Sequence, residues 1–204
     1  MSKIRFTEPN REILARRDSI INDLTRLVDP AGLITSTDEC RAYETDALTA
    51  YRKMPLAVVL PKTTEEVSAV LKYCHDTGVK VVPRGAGTSL AGGAIPSEDA
   101  VVLGLSKMNR VLAVNYDDRF IRVEAGVTNL SVTAVVAENG FFYAPDPSSQ
   151  LACTIGGNIA NNSGGAHCLK YGVTTNNLLG VRMVLIDGSI IDLGGDYLDS
   201  AGLD

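Results

Sequence analysis

The sequence lacks an excess of positive charge. Its 204 residues contain 19 Lys and Arg against 24 Asp and Glu, which gives a formal net charge of -5 and a pI near 5.1. Nucleic-acid-binding domains usually carry a basic patch or stripe. The composition therefore argues against a nucleic-acid-binding function.

Long apolar runs are also missing. The first 20 residues contain no continuous apolar segment of the kind found in a secretory signal, and no stretch of about 18 or more apolar residues follows. We therefore expect a cytoplasmic protein without a transmembrane segment.

Cysteine is scarce and widely spaced. The four cysteines form no Cys-x-x-Cys pair; they are Cys40, Cys74, Cys153 and Cys168. Zinc and iron–sulfur sites use closely spaced cysteines, so we expect no metal site within this chain. Reduced thiols that pack as small apolar side chains are predicted instead.

The N-terminal part of the sequence has a helical pattern. Apolar residues recur every three or four positions over 13–28, and Asp29-Pro30 is expected to end the helix. The polar stretch 35–54 has no sustained period. We predict a helical lead-in over 1–54 and a main domain over 55–204, with the boundary near Met54-Pro55.

Short apolar segments after this boundary predict buried strands over 56–60, 79–83 and 101–105. Between the first two, either threonine of Thr63-Thr64 can cap a helix whose apolar residues share one face, and Gly78 suits its end. A strand, a helix and a strand in this order predict a parallel βαβ unit with a right-handed crossover.

The second half of the sequence predicts antiparallel hairpins. One hairpin is expected over 110–124, and another over 181–193 around the two-residue turn signal Asp187-Gly188. A helix is predicted over 128–139. The predicted fold class is α+β, with a parallel βαβ lobe followed by a lobe of antiparallel strands and helices.

Many of the 19 glycines cluster, and the first cluster directly follows the second predicted strand. We call 83–89 the first glycine segment; it comprises Pro83, Arg84, Gly85, Ala86, Gly87, Thr88 and Ser89. Such a loop can direct consecutive N–H groups at one anion, and a dinucleotide pyrophosphate suits this nest. Arg84 either adds charge or steadies the loop. A tight surface turn is the alternative.

A Rossmann dinucleotide site is not predicted here. Leu90 stands where the third glycine of G-x-G-x-x-G belongs, and the strand that follows, VVLGLS, does not end in an acidic residue that would bind a ribose hydroxyl.

The second cluster contains two glycine pairs eight residues apart, with small and amide side chains between them. We call 147–164 the second glycine segment; its candidate residues are Pro147, Ser148, Ser149, Thr154, Gly156, Gly157, Asn158, Asn161, Asn162, Ser163 and Gly164. A smooth polar wall suits a flat heteroaromatic ring, and donors near a flavin N1–O2 edge stabilise the charge that develops on reduction. The alternative is a glycine-rich loop that packs against other backbone.

Taken together, the segments resemble the FAD-binding fold shared by vanillyl-alcohol oxidase and p-cresol methylhydroxylase. The strings PLAVVLPKTTEEVSAVLKYC, VVPRGAGTSLAGGA and PDPSSQLACTIGGNIANNSGG occur in that family's order. The strings YAPDPSSQLACTIGGN and GGAHCLKYGVT resemble the branch of FAD subunits of bacterial glycolate oxidases and related D-lactate dehydrogenases.

This resemblance implies that the first glycine segment wraps the FAD pyrophosphate and that the second lines the flavin and ribityl chain. It also implies oxidation of a small 2-hydroxy acid such as glycolate or D-lactate, with hydride transfer to flavin N5 and electrons passed to a partner or a quinone. Companion subunits, one carrying iron–sulfur clusters, could place the protein at the inner face of a membrane. Because the first glycine segment has no histidine, we expect FAD to be bound non-covalently.

Neither histidine is assigned as a catalytic base. His75 is expected to be a solvated residue near a helix end. His167 follows the second glycine segment, where it contacts the cofactor, orients Tyr171 or supports the structure.

Members of this family continue with a further glycine-containing segment and a cap domain that supplies the catalytic residues. The sequence ends at 199–204 without either, so we expect an N-terminal fragment that is inactive alone. Two other functions stay open: a non-catalytic module that keeps the fold, and a reductase that uses FAD with NADPH.

Overall fold

The computed structural model describes residues 7–195. Its helices are α1 (Arg11–Ala15), α2 (Arg17–Leu24), α3 (Thr37–Cys40), α4 (Thr64–Thr77), α5 (Asn129–Val136), α6 (Ile155–Asn161) and α7 (Cys168–Tyr171). Its strands are β1 (Leu33–Ile34), β2 (Ala57–Val59), β3 (Lys80–Arg84), β4 (Ala100–Gly104), β5 (Val111–Asn115), β6 (Phe120–Val123), β7 (Gly180–Val184) and β8 (Ile190–Gly194). Single 3-10 turns cover Pro30–Gly32, Arg41–Tyr43, Ala137–Asn139 and Thr174–Asn177.

A four-stranded sheet with the order β1-β2-β4-β3 forms the first lobe. Strands β2, β4 and β3 are parallel, which confirms the predicted parallel βαβ unit, and β4 lies between the two strands that α4 connects. Every residue of β2 and β4 is buried. This explains their continuous apolar sequences, because a parallel strand covered on both faces has no polar side.

Helix α4 has the ends that its sequence predicts. The Thr63 hydroxyl accepts a hydrogen bond from the Glu66 amide, and Gly78 ends the helix in the left-handed region with φ of 72°. The face that carries Val67, Val70 and Cys74 is buried in the main core. Helix α4 therefore covers the sheet as its apolar pattern requires.

The N-terminal lead-in differs from its prediction as one helix. The helix breaks at Arg16, whose φ of -94° and ψ of 7° are not helical, and α2 ends at Leu24, before Asp29-Pro30. This break lets Ile13 and Ile20 both enter the main core. Strand β1, which was not predicted, pairs with β2.

The predicted boundary at Met54-Pro55 stays a prediction, but the lead-in shares the core and the sheet of the first lobe. Residues 196–204, which include the chain end on which the expectation of a fragment rests, lie outside the described residues. Within 7–195, no helix is both long and apolar enough to cross a membrane.

Two antiparallel hairpins are present where the sequence predicts them, which together with the parallel sheet confirms the α+β class. The β7–β8 loop is one residue longer than the predicted two-residue turn: Leu185 pairs with Ser189, and Gly188 has φ of 85°. A turn followed by a left-handed residue is the usual three-residue hairpin loop. This hairpin packs on α4, where the Ser68 hydroxyl donates to the Gly188 carbonyl at 2.5 Å.

Helix α6 was missed at the sequence level, because a Gly-Gly pair has low intrinsic helix propensity. Tertiary contacts outweigh that propensity. The Thr154 hydroxyl caps the helix through the Gly157 amide, and Ile155 is buried in an apolar cluster with Val127 and Val132. The second glycine segment therefore contains a helix where a loop was expected.

Asp99 attaches the start of the N-terminal helices to the sheet edge. Its fully buried carboxylate accepts hydrogen bonds from the Asn10 amide at 2.8 Å and from Ser97 at 2.6 Å, and it pairs with Lys80 at 2.8 Å. Burial alone would raise the pKa of Asp99, but these donors outweigh it and lower the pKa from 3.8 to about 2.

We expect Asp99→Asn to lower the free energy of unfolding by about 2 kcal/mol at pH 7. Because the folded-state pKa is depressed, the contribution is complete above about pH 4 and is lost as the pH falls towards 2. Urea unfolding at pH 7 and at pH 3 measures both effects. The exposed neighbour Glu98→Gln is the control, and a difference between Asp99→Asn and wild type that does not shrink at pH 3 would contradict the assignment.

Candidate functional site

The two glycine segments meet in space although they are far apart in the sequence. A Cβ atom on Gly85 would lie 2.5 Å from Thr154 Oγ1 and 3.8 Å from Gly157 Cα. Gly85 directly follows β3, and Thr154 is the N-cap of α6. Because any side chain at position 85 would overlap Thr154, glycine is what permits this close approach.

The backbone of the first glycine segment is available to a ligand. From Gly85 to Ser89, no amide donates a hydrogen bond to another group of residues 7–195, and the Thr88 hydroxyl has no partner there either. Residues 85–89 follow the carboxyl end of β3, next to that of β4, where open parallel sheets bind their ligands. Consecutive unpaired N–H groups at this position form the kind of nest that binds a phosphate.

The second glycine segment offers fewer donors than its composition suggests. Within the described residues, the amides of Ser148, Ser149 and Gly164 donate no hydrogen bond, and Ser148 is exposed. Pro147 is buried. Gly156 lies so close to Ala125 that a Cβ would approach the Ala125 Cβ to 2.8 Å. The unpaired donors of this segment therefore include the amides of the Ser148-Ser149 turn and of Gly164.

The asparagine side chains of the second segment make hydrogen bonds within the protein, and of the three only Asn158 is buried. Asn158 is 2% exposed and bonds to Asn129 at 2.9 Å and to Cys153 Sγ at 3.2 Å. Asn161 donates to the Gly157 carbonyl at 3.0 Å. Asn162, with φ of 47°, accepts from the Thr175 amide at 3.0 Å. Buried or strained polar groups need such partners, so these side-chain amides fix the conformation of the second glycine segment.

Ser163 and Gly164 lie on the side of the second segment that faces 173–175. The Ser163 carbonyl accepts from the Thr174 amide at 2.9 Å and from the Thr174 hydroxyl at 2.7 Å. A Cβ on Gly164 would touch the Val173 side chain at 3.0 Å. Contacts with the first glycine segment come instead from Thr154 and Gly157.

Arg84 contacts the N-terminal lead-in through its side chain. Its guanidinium donates to the Thr45 carbonyl at 2.7 Å and lies 5.5 Å from the centre of the Tyr43 ring. The Ala47 amide donates to the carbonyls of Gly87 and Ser89. The lead-in therefore contacts the candidate site, which sequence reasoning missed because 35–54 has no period to interpret.

His167 is held by Asp146, a residue that directly precedes the second glycine segment. Nδ1 of His167 lies 2.6 Å from an Asp146 carboxylate oxygen, and the His167 amide donates to the other oxygen at 3.2 Å. The hydrogen bond from this amide is the main cause that lowers the pKa of Asp146. This pair joins the turn at 147–149 to the chain beyond Gly164 and supports a structural role for His167.

The other polar clusters do not resemble a metal site. Within 7–195, no group of three His, Cys, Asp or Glu residues is placed to hold a metal ion. Three of the four cysteines are buried as predicted, and Cys168 is exposed.

These residues fit a dinucleotide cofactor. The first segment has adjacent unpaired amides, the second has unpaired amides of its own, and the two segments meet at Gly85 and Thr154. A pyrophosphate with a heteroaromatic ring attached matches that combination of a nest and a wall.

Comparison with known proteins supports the same conclusion. A family model described as "FAD binding domain" matches residues 55–194. Glycolate oxidase subunit GlcD of Escherichia coli strain K12 is 48% identical over 188 residues, which are 92% of this chain and 38% of GlcD. D-lactate dehydrogenase of Archaeoglobus fulgidus is 39% identical over 184 residues, which are 90% of this chain and 40% of that protein.

The fold is shared with p-cresol methylhydroxylase, solved with substrate bound. The TM-score is 0.75 at 20% identity, over 95% of this chain and 38% of that one. This likeness confirms the predicted two-lobed architecture. The chain spans about two fifths of the length of each of these proteins.

Proposed function

The chain belongs to the FAD binding domain family, and from that premise we propose that it is the FAD-binding part of a dehydrogenase that oxidises a small 2-hydroxy acid. The first glycine segment would hold the pyrophosphate through its amides and the Thr88 hydroxyl. The second would face the flavin and ribityl chain, with Asn158 left out of the contact surface because its side chain is committed to the interior.

One observation carries the cofactor assignment. The amides from Gly85 to Ser89 are unpaired, and Gly85, the first of them, lies against Thr154, the N-cap of α6, so the two glycine segments meet where a pyrophosphate and a flavin would join. A surface turn without a ligand has no reason to approach Thr154 so closely that only glycine is tolerated at position 85. The expected attachment is non-covalent.

The substrate class rests on the names of two relatives, a glycolate oxidase subunit and a D-lactate dehydrogenase. When bound, the flavin supplies a hydride acceptor for the α-carbon of such an acid. The residues of this chain would bind and orient that cofactor, and a base outside 7–195 would remove the hydroxyl proton. Since one relative is named as a subunit, we also propose companion subunits that receive the electrons.

FAD binding is tested by thermal unfolding of the purified chain. At a ligand concentration of about 100 times Kd, binding stabilises a protein by roughly 2.7 kcal/mol, which raises Tm by about 5–10 °C at this size. We expect this shift with FAD and a much smaller one with NADPH, which has a pyrophosphate but no flavin ring. Equal shifts with both dinucleotides would favour the reductase, and no shift with FAD would contradict the proposed function.

The substrate class is tested in a chimera in which this chain replaces the aligned 188 residues of Escherichia coli GlcD. Anaerobic mixing with glycolate or D-lactate should bleach the visible flavin absorbance, and L-lactate is the control. A chimera that binds FAD but is bleached by none of these acids would contradict the hydroxy-acid proposal while leaving the cofactor site intact.

A further inference from the structure

The guanidinium of Arg84 lies behind the first glycine segment. It donates to the Thr45 carbonyl at 2.7 Å and lies 5.5 Å from the centre of the Tyr43 ring, within the range of a cation–π contact. A Cβ on Gly87 would overlap its Nη2 atom, so the guanidinium packs directly against the backbone of the loop. The Nη1 group of Arg84 is therefore bound by the lead-in, and its Nη2 group lies beside the loop backbone.

A short stretch of the lead-in crosses the same loop; we call Tyr43–Leu48 the strap. The Ala47 amide donates to the Gly87 carbonyl at 3.0 Å and to the Ser89 carbonyl at 3.1 Å. The strap is tied to the chain that follows it, because the Glu44 carbonyl accepts from the Lys53 amide at 2.8 Å and the Thr45 hydroxyl donates to the Tyr51 carbonyl at 2.9 Å. It thus holds the carbonyl side of the loop.

Asp46 places a negative charge in the strap. The residue is 4% exposed; Oδ1 accepts from the Leu48 amide at 2.9 Å, while Oδ2 has no partner within 7–195. Burial lowers the pKa of Arg84, and the nearby Tyr43 and Asp46 side chains oppose this shift only in part. Asp46 therefore lies near enough to Arg84 for the two charges to attract each other.

We propose that the strap and Arg84 position the first glycine segment for the FAD pyrophosphate, with Arg84 acting through the loop backbone and not on the phosphates. With the carbonyls of Gly87 and Ser89 held by Ala47, the amides of the loop are left to the ligand. The strap lies outside the matched range 55–194, so the functional FAD site extends into the lead-in. The 188-residue alignment with GlcD is too long to fit within that range and therefore also extends outside it.

This inference rests on the proposed function and is tested on the full chain with three variants. Arg84→Met keeps most of the stem, Arg84→Lys keeps the charge, and Arg26→Met removes a 79% exposed arginine elsewhere as the control. Flavin fluorescence measures the Kd of FAD and of riboflavin, which has no pyrophosphate. We expect Arg84→Met and Arg84→Lys to raise the Kd of FAD about tenfold or more and to leave the Kd of riboflavin unchanged. The salt dependence of FAD binding should stay as in the wild type.

Recovery of FAD affinity by Arg84→Lys, with a loss of salt dependence in Arg84→Met, would overturn the proposal, because Arg84 would then contact the phosphates directly. Equal increases in the Kd of FAD and of riboflavin would also overturn the proposal, because they would show a general loss of folding. Failure of the wild-type chain to bind FAD would refute the proposed function itself, and so the two failures are distinguishable.

A second pair of variants tests the strap without changing Arg84. Ala47→Pro removes the amide that donates to Gly87 and Ser89. Ala50→Pro is the matched control just beyond the strap, since the Ala50 amide donates no hydrogen bond within the described residues. We expect about a tenfold weaker FAD complex for Ala47→Pro only. Equal affinities of the two proline variants would overturn the role of the strap.

Discussion

Gly85→Ala is expected to weaken FAD binding by at least about 100-fold, which corresponds to roughly 2.7 kcal/mol. The added methyl group would lie 2.5 Å from Thr154 Oγ1. Thr154 is buried, β-branched and committed to capping α6, so its side chain has little freedom to turn away. The loop must then move away from the wall, and the surface that joins the pyrophosphate nest to the flavin wall is broken.

The matched control is Gly93→Ala, later in the same loop. A Cβ on Gly93 meets nothing within 4 Å, so this change alters the composition of the loop without a collision. Titration of both variants with FAD, followed by flavin fluorescence, makes the comparison. If Gly85→Ala bound FAD as tightly as Gly93→Ala, the close approach of the two segments would have no part in cofactor binding.

A double variant locates the cause of the loss. Thr154→Ala removes Oγ1 and costs about 1 kcal/mol as a lost N-cap. If the collision with Oγ1 is the cause, Gly85→Ala/Thr154→Ala should bind FAD more tightly than Gly85→Ala alone. Additive losses would place the effect in the loop itself.

The elements that the sequence predicted well are those in which local signals agree with tertiary packing. Helix α4 has an apolar face, a threonine cap and a terminal glycine that all indicate the same boundaries. The continuous apolar strings of β2 and β4 match strands that are buried on both faces. Composition also located the two glycine segments, because few functions other than close backbone approach need so many glycines together.

What the sequence could not predict depends on partners that are distant in the chain. No residue near Asn158 in the sequence indicates that Asn129 will donate a hydrogen bond to its side-chain oxygen. The Asn158 amide therefore looks available in the sequence but is buried in the structure. Helix α6 forms against local propensity because of its cap and its apolar contacts. The strap has no periodicity, and its role becomes visible only when Ala47 is seen beside Gly87 and Ser89.

Gly165→Ala is the second substitution for which a large effect is expected, here on stability as well as on the cofactor. A Cβ at this position would overlap the backbone carbonyl and the carboxylate of Asp146. Backbone cannot rotate away as a side chain does, so the segments that contain Asp146 and Gly165 must move apart. We expect a loss of about 3 kcal/mol in the free energy of unfolding, or a fall in Tm of roughly 6–12 °C.

The same displacement acts on the second glycine segment, because Asp146 directly precedes Pro147 and holds His167 through two hydrogen bonds. FAD affinity should therefore fall together with stability in Gly165→Ala. Asp146→Asn is the informative comparison, since it changes the carboxylate and leaves the backbone contact in place. A small effect in Asp146→Asn beside a large one in Gly165→Ala would show that the wall depends on the close backbone packing of 146 against 165. A free energy of unfolding for Gly165→Ala within about 0.5 kcal/mol of wild type would contradict this prediction. It would show that the segments around Asp146 and Gly165 can move apart at little cost, and that α6 alone fixes the shape of the second glycine segment.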